Sequence, residues 1–170
     1  SAIGNHEFDK PLAVLDKQIK WSKFPLLAAN IYNKTTGQRM FEPYRVFDRG
    51  GYKIAVMGLT TDDTSKMVLQ ANVANVEFRK PAEEAAKLIP ELRKQADLAQ
   101  VLPEVRAKAD MVIAATHMGH YTDGKSGVNA PGDVEMARAV KGLDLIVGGH
   151  SQNPVCMGAE NKRNDAYVPG

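Results

Sequence analysis

"DMVIAATHMGH", residues 110–120, decides how the rest of the chain is read. Its apolar run, Met111 to Ala115, has the look of a buried strand, and Thr116, His117 and His120 follow it directly. The same order recurs in "LDLIVGGHSQ", residues 143–152, where the apolar run leads to Gly148, Gly149 and His150. It recurs again in "SAIGNHEFDKP", residues 1–11, where Ile3 is followed by Asn5, His6, Glu7 and Asp9. Strands that each run into polar groups predict a layered α/β arrangement whose functional side chains gather at the carboxyl ends of strands.

The intervening sequence fits that scheme. Residues 10–22 place Leu12, Val14, Leu15, Ile19 and Trp21 as an amphipathic helix would, with Pro11 in its first turn. "PLLAANIY", residues 25–32, suits a buried strand, and "YRVFDRGGYKIAVMGLT", residues 44–60, gives two strands around a Gly50-Gly51 hairpin turn. Residues 80–96 are rich in helix formers, with Pro90 expected to kink or split the helix. A second helical piece is expected at 103–109, and "DVEMARAVKG" reads as a helix stopped by Gly142. There is no repeat or linker, so one domain is the simplest organisation.

Composition excludes several classes of partner. The chain has 170 residues, 44% apolar and 25% charged, with a formal charge of +2, too balanced for a binder of nucleic-acid polymers. No window approaches the roughly 18 apolar residues of a membrane span, and the first residues lack the regions of a secretory signal. The single cysteine, Cys156, is a free thiol or half of a disulfide whose partner lies beyond Gly170.

Three of the four histidines, His6, His117 and His150, lie just past apolar runs. One such histidine is most simply a core residue; three in one context predict convergence. Neutral imidazoles and amide oxygens are donors to transition metals, which makes Asn5, His117, His150 and Gln152 candidate metal ligands. Gly148 and Gly149 would let the chain turn sharply and bring backbone close to a bound ion or phosphate. Asp9, three residues after His6, is placed to orient and charge-stabilise its imidazole, the form that protonates a leaving oxygen; Asp9 could also cap the following helix. His120 reads as a supporting or surface residue, and Asp62-Asp63 as a turn or cap without chemistry.

"GNHEFD", "ATHMGHY", "NAPGDVEMAR" and "IVGGHSQNPVCM" together resemble the metallophosphoesterases of the periplasmic 5'-nucleotidase and UDP-sugar hydrolase type. That resemblance implies a layered β-sandwich flanked by helices and a hydrolase using two divalent ions, zinc or else manganese or cobalt. In such a site two cations roughly 3.5–4 Å apart clamp the phosphoryl group and activate a hydroxide. The substrates implied are nucleotides and nucleotide sugars, and the location is the periplasm. By the same resemblance Asn5, His117 and His150 are ligands of one ion and Gln152 of the other. His6, supported by Asp9, stabilises the transition state or protonates the leaving group, and Asn5 and His6 touch the substrate phosphate.

The family also uses an Asp-x-His motif and a Gly-Asp motif ahead of the "GNHE" run, a substrate-binding domain after the catalytic one, and a disulfide partner downstream of Cys156. None of these is found in those places here. The expectation is therefore a partial catalytic domain over 1–170, lacking its N-terminal strands, weak in metal binding and catalysis alone, and able to self-associate through an exposed edge. The competing readings are a 2',3'-cyclic-nucleotide 2'-phosphodiesterase/3'-nucleotidase, and a non-catalytic binding module that retains half a metal site.

Overall fold

The computed structural model describes residues 1–93, 109–120 and 132–151. Its organising element is the expected hairpin: β2 (Tyr44–Arg49) and β3 (Tyr52–Thr60) pair antiparallel, with Arg49 opposite Tyr52. Gly50 and Gly51 supply the left-handed backbone of the turn, at φ 63° and 89°, which L side chains rarely adopt. β5 (Met111–His117) then lies parallel to β3, and β6 (Leu145–Val147) parallel to β5, in the order β2-β3-β5-β6. The pairing sets Thr60 opposite His117, so the carboxyl ends of β3 and β5 finish level with each other.

A second, two-stranded sheet joins β1 (Ile31–Asn33) to β4 (Val76–Phe78), antiparallel. "PLLAANIY" is buried from Leu27 onward as expected, but it is one continuous strand only at its end. The segment changes partners along its length: Leu27 bridges Ala2 and Glu42, the Ala29 N–H donates to the Gly58 carbonyl, and Ile31 pairs with Phe78. Asn30, fully buried, holds the crossover by donating to the carbonyls of Thr60 and Arg79 and accepting from the Thr60 N–H. The backbones approach so closely that a Cβ at Gly58 would lie 2.1 Å from the Leu27 oxygen. Residues 1–3 enter beside this segment, with Ile3 N–H on Leu27 O at 3.1 Å.

Helices complete two cores. α3 (Pro81–Arg93) and α4 (Asp133–Ala139) bury Leu88, Leu92 and Met136 against Met57, Leu59, Val112 and Ala114 of the larger sheet. Each such aliphatic side chain contributes about 1.5–3 kcal/mol relative to exposure. α1 (Leu12–Trp21) places Leu15 in the other core, with Ile3, Phe8, Ile31, Val73 and Val76. Phe8 meets Phe78 edge-on at 5.1 Å between ring centroids.

Two local expectations are corrected. α3 continues through Pro90 to Arg93 without a break, so the proline does not split it. Pro90 deprives the Ala86 carbonyl of its helical donor, but both residues are exposed, so water can take the vacant place. The other correction concerns Asp9, because the N-cap position of α1 falls at Pro11 and carries no side-chain cap bond. Asp62 and Asp63 form the turn expected of them, leading into α2 (Thr64–Met67), with Asp63 paired to Lys66 at 2.5 Å. The helix expected at 103–109 lies outside the described residues, apart from Ala109. Among the described residues no helix is long and apolar enough to cross a membrane.

Candidate active site

Three strand ends build the site. The Thr60 hydroxyl donates to the Ile3 carbonyl, and the Thr61 N–H donates to the His117 carbonyl at 3.2 Å. These bonds tie residues 1–3 to β3 and β3 to β5, so "GNHE" and "ATH" begin side by side. The Gly4 N–H donates to the Glu7 carboxylate at 2.7 Å and closes the turn that presents Asn5 and His6. Gly4 is packed against the His117 ring so tightly that a Cβ there would lie 2.8–2.9 Å from three ring atoms.

The result is a compact donor set. Asn5 is 5% exposed, and its Oδ1 lies 3.0 Å from Nε2 of His117 and 3.2 Å from Nδ1 of His150. The two imidazoles are 5.0 Å apart between centroids, edge to face. Two ring nitrogens and an amide oxygen, with the oxygen within 3.2 Å of each nitrogen, suit a divalent transition ion, since all three are neutral donors. Among the described residues no three His, Cys, Asp or Glu side chains converge as a metal cluster. Gln152 and Cys156 lie outside the described residues.

Electrostatics keep the imidazoles in their donor form. Burial lowers the His117 pKa below the ordinary histidine value, and the neighbouring His150 lowers it further against an opposing pull from Glu7. Burial also lowers His150, with His6 acting in the same direction. A second proton on either ring is disfavoured, so each neutral imidazole keeps one nitrogen lone pair for a cation. His6 stands at the rim with its side chain 69% exposed, and its Nδ1 lies 2.8 Å from the Asp9 carboxylate. Of the two roles weighed for Asp9, the structure favours support of His6 over helix capping.

The left-handed conformation before Ser151 does not fall on the glycines. Neither Gly148 nor Gly149 has a positive φ; the left-handed residue is His150 itself, at φ 85°. Strained backbone of this kind on a residue with a Cβ persists where its surroundings over-determine it, commonly at functional sites. Sequence reasoning also passed over Gly4, Glu7 and Asp133. Asp133 is 9% exposed beside Gly148, and burial raises its pKa while Thr116 and His120 partly offset the rise. An acid opening a helix reads as an ordinary N-terminal residue, so only the fold reveals its position next to two histidine-bearing segments.

Residues 1–154 match the profile of the calcineurin-like phosphoesterases. Protein UshA of Yersinia enterocolitica is 58% identical to the chain over 171 residues, covering 99% of the chain and 29% of that protein. A 5'-nucleotidase of Vibrio cholerae is 53% identical over 171 residues, with the same coverage of 99% and 29%. The chain therefore spans about 29% of the length of these curated relatives. Among solved structures, a 5'-nucleotidase precursor of Thermus thermophilus is similar at TM-score 0.66 and 30% identity, over 93% of the chain and 26% of that structure.

Proposed function

The chain belongs to the calcineurin-like phosphoesterase family, and from that premise we propose that it supplies part of the centre of a metal-dependent hydrolase of nucleotide phosphoesters. The observation that carries the reading is Asn5 Oδ1 set between His117 Nε2 and His150 Nδ1. Asn5, His117 and His150 would hold a divalent ion, and Gln152 would join a second. Such ions neutralise phosphate charge and lower the pKa of water, work that neutral donors leave undiminished because they add no charge of their own.

The chain's remaining groups complete the proposal. Asn5, with its oxygen turned to the ion, can also donate an amide hydrogen to a phosphate oxygen. His6, exposed at the rim and oriented by Asp9, protonates the departing nucleoside oxygen. The relatives named as 5'-nucleotidases support a nucleotide monophosphate as substrate. Zinc as the resident metal, cleavage of nucleotide-sugar pyrophosphates and a periplasmic location are further parts of the same reading, and they come from the sequence resemblance.

The test is a panel of 5'-AMP, 3'-AMP, UDP-glucose and a cyclic nucleotide, run on the whole protein with zinc, manganese or cobalt after chelator treatment. 5'-AMP should be hydrolysed fastest, with metal required. His6→Asn should keep its metal content and lose about 10²–10⁴-fold in kcat. Turnover that survives complete metal removal, or an undiminished His6→Asn enzyme, ends the proposal.

A further inference from the structure

Asp133 has a place in the fold that neither helix formation nor core packing requires. Its carboxylate lies against Gly148, where a Cβ would come within 2.2 Å of Oδ2 and 3.4 Å of the Thr116 hydroxyl. Thr116 immediately precedes His117, and Gly148 stands two residues before His150. The backbone joins the same three segments: the Asp133 N–H donates to Gly119 O at 2.8 Å, and the Gly119 N–H donates to Gly149 O at 2.9 Å. Asp133 thus sits where the β5 loop, the β6 loop and α4 meet.

Keeping a carboxylate there is costly. Asp133 Oδ1 is buried without a hydrogen-bond partner among the described residues. A buried polar atom left unpaired lowers stability, and an apolar side chain of similar size would avoid the loss. Gly148 completes the argument. Its φ is not positive, so glycine is not needed there for backbone freedom. It is needed because the Asp133 carboxylate occupies the space a side chain would take.

We propose that Asp133 is a positioning residue, whose carboxylate wedges between Thr116 and Gly148 and thereby sets the spacing of His117 and His150. The inference deepens the reading of those imidazoles as metal donors and rests on it for its consequence in binding, while the wedge itself can be measured without metal. Asp133 touches no reacting group; it acts through the loops that carry the histidines.

The experiment uses the whole protein with isotopically labelled histidine, free of metal, and reads the nuclear Overhauser contact between the His117 and His150 rings. Asp133→Ala should lose at least half of that contact with its far-ultraviolet circular dichroism unchanged, and Asp133→Asn, which keeps the shape, should retain it. Gly148→Ala should weaken the contact as Asp133→Ala does, yet add no further loss when combined with it. In the whole protein, Co²⁺ affinity should fall about 10–100-fold in Asp133→Ala and Gly148→Ala. A ring contact that persists in both alanine variants overturns the proposal. Should Asp133→Ala fail to fold, Gly148→Ala alone decides by the same contact. If the contact changes as expected while wild-type protein takes up no Co²⁺, Asp133 keeps its role and the metal reading fails.

Discussion

Gly4 shows how much a single hydrogen atom can matter beside a donor set. The wall of the His117 ring stands where a Cβ would be, and Glu7 fixes the Gly4 backbone by accepting its N–H at 2.7 Å. Neither side can yield without cost, because His117 is also held through Asn5. Gly4→Ala should therefore destabilise the chain by about 1–3 kcal/mol, the range for overpacking. It should also push the His117 ring away from Asn5 and weaken Co²⁺ uptake in the whole protein by about tenfold or more. Thermal unfolding and a Co²⁺ titration check the two effects; unchanged values in both would mean the ring moves aside freely. At this scale the sequence marked the side chains that the fold brings near one another, since His6, His117, His150 and Asn5 each follow an apolar run. It did not disclose what fits them together. The space at Gly148, the ring over Gly4 and the left-handed His150 depend on residues more than a hundred positions apart or on a neighbouring helix, and local pattern carries no record of them.

Between elements, the seam of β1, β4 and α3 is fastened by one carboxylate. Glu84 is 1% exposed and accepts from the Tyr32 hydroxyl at 2.5 Å, Arg39 at 2.8 Å and Lys87 at 2.5 Å. Arg79 stacks on the same tyrosine, with its guanidinium carbon 3.7 Å from the ring centroid. Burial by itself would raise the Glu84 pKa, but the hydrogen bonds from Lys87, Tyr32 and Arg39 outweigh it and hold the group below the ordinary glutamate value. A carboxylate with a depressed pKa contributes stability above its unfolded pKa, and that stability is lost as pH falls through the folded value. Glu84→Gln should cost about 2 kcal/mol near neutrality, a fall in Tm of about 4–8 °C. The variant should also lose less stability than wild type on acidification below about pH 4.3. Denaturant melts at pH 7 and pH 3 test this; parallel acid losses in the two proteins would remove Glu84 from the account. Element type was readable where the chemistry is local, as in the Gly50-Gly51 hairpin and α4 ending before Gly142. β4, only three residues long, has too little pattern to be read in advance. That α3 is not split at Pro90 was not readable in advance, because the cost of the proline depends on whether the Ala86 carbonyl faces water.

For the molecule as a whole, the two faces of the larger sheet are treated unequally. One face carries Met57, Leu59, Val112 and Ala114 under α3 and α4. Pairing register places Phe47, Ile54, Val56, Met111, Ile113, Leu145 and Val147 together on the other. That second face remains open in part: Met111 is 40%, Leu145 49% and Val147 55% exposed. Parallel order and converging strand ends could be inferred from the apolar runs of β5 and β6, which each lead into histidine; the third run, residues 1–3, forms only an isolated bridge from Ala2 to Leu27. Which face is left open could not be, since "LIV" and "MVIAA" read as strands covered on both sides. Clustered apolar surface of this kind drives association in water. The chain studied alone should therefore self-associate through this face, its sedimentation coefficient rising with concentration. Replacing both Leu145 and Val147 by lysine should raise the dissociation constant by about tenfold or more, because each aliphatic side chain buried is worth about 1.5–3 kcal/mol and tenfold in affinity needs about 1.4. These positions point away from the α3 and α4 core, so the substitutions should leave the thermal transition of the dissociated chain within a few degrees of wild type. Sedimentation that is independent of concentration in the unsubstituted chain, or association undiminished by the paired lysines, would show that this face is not where copies meet.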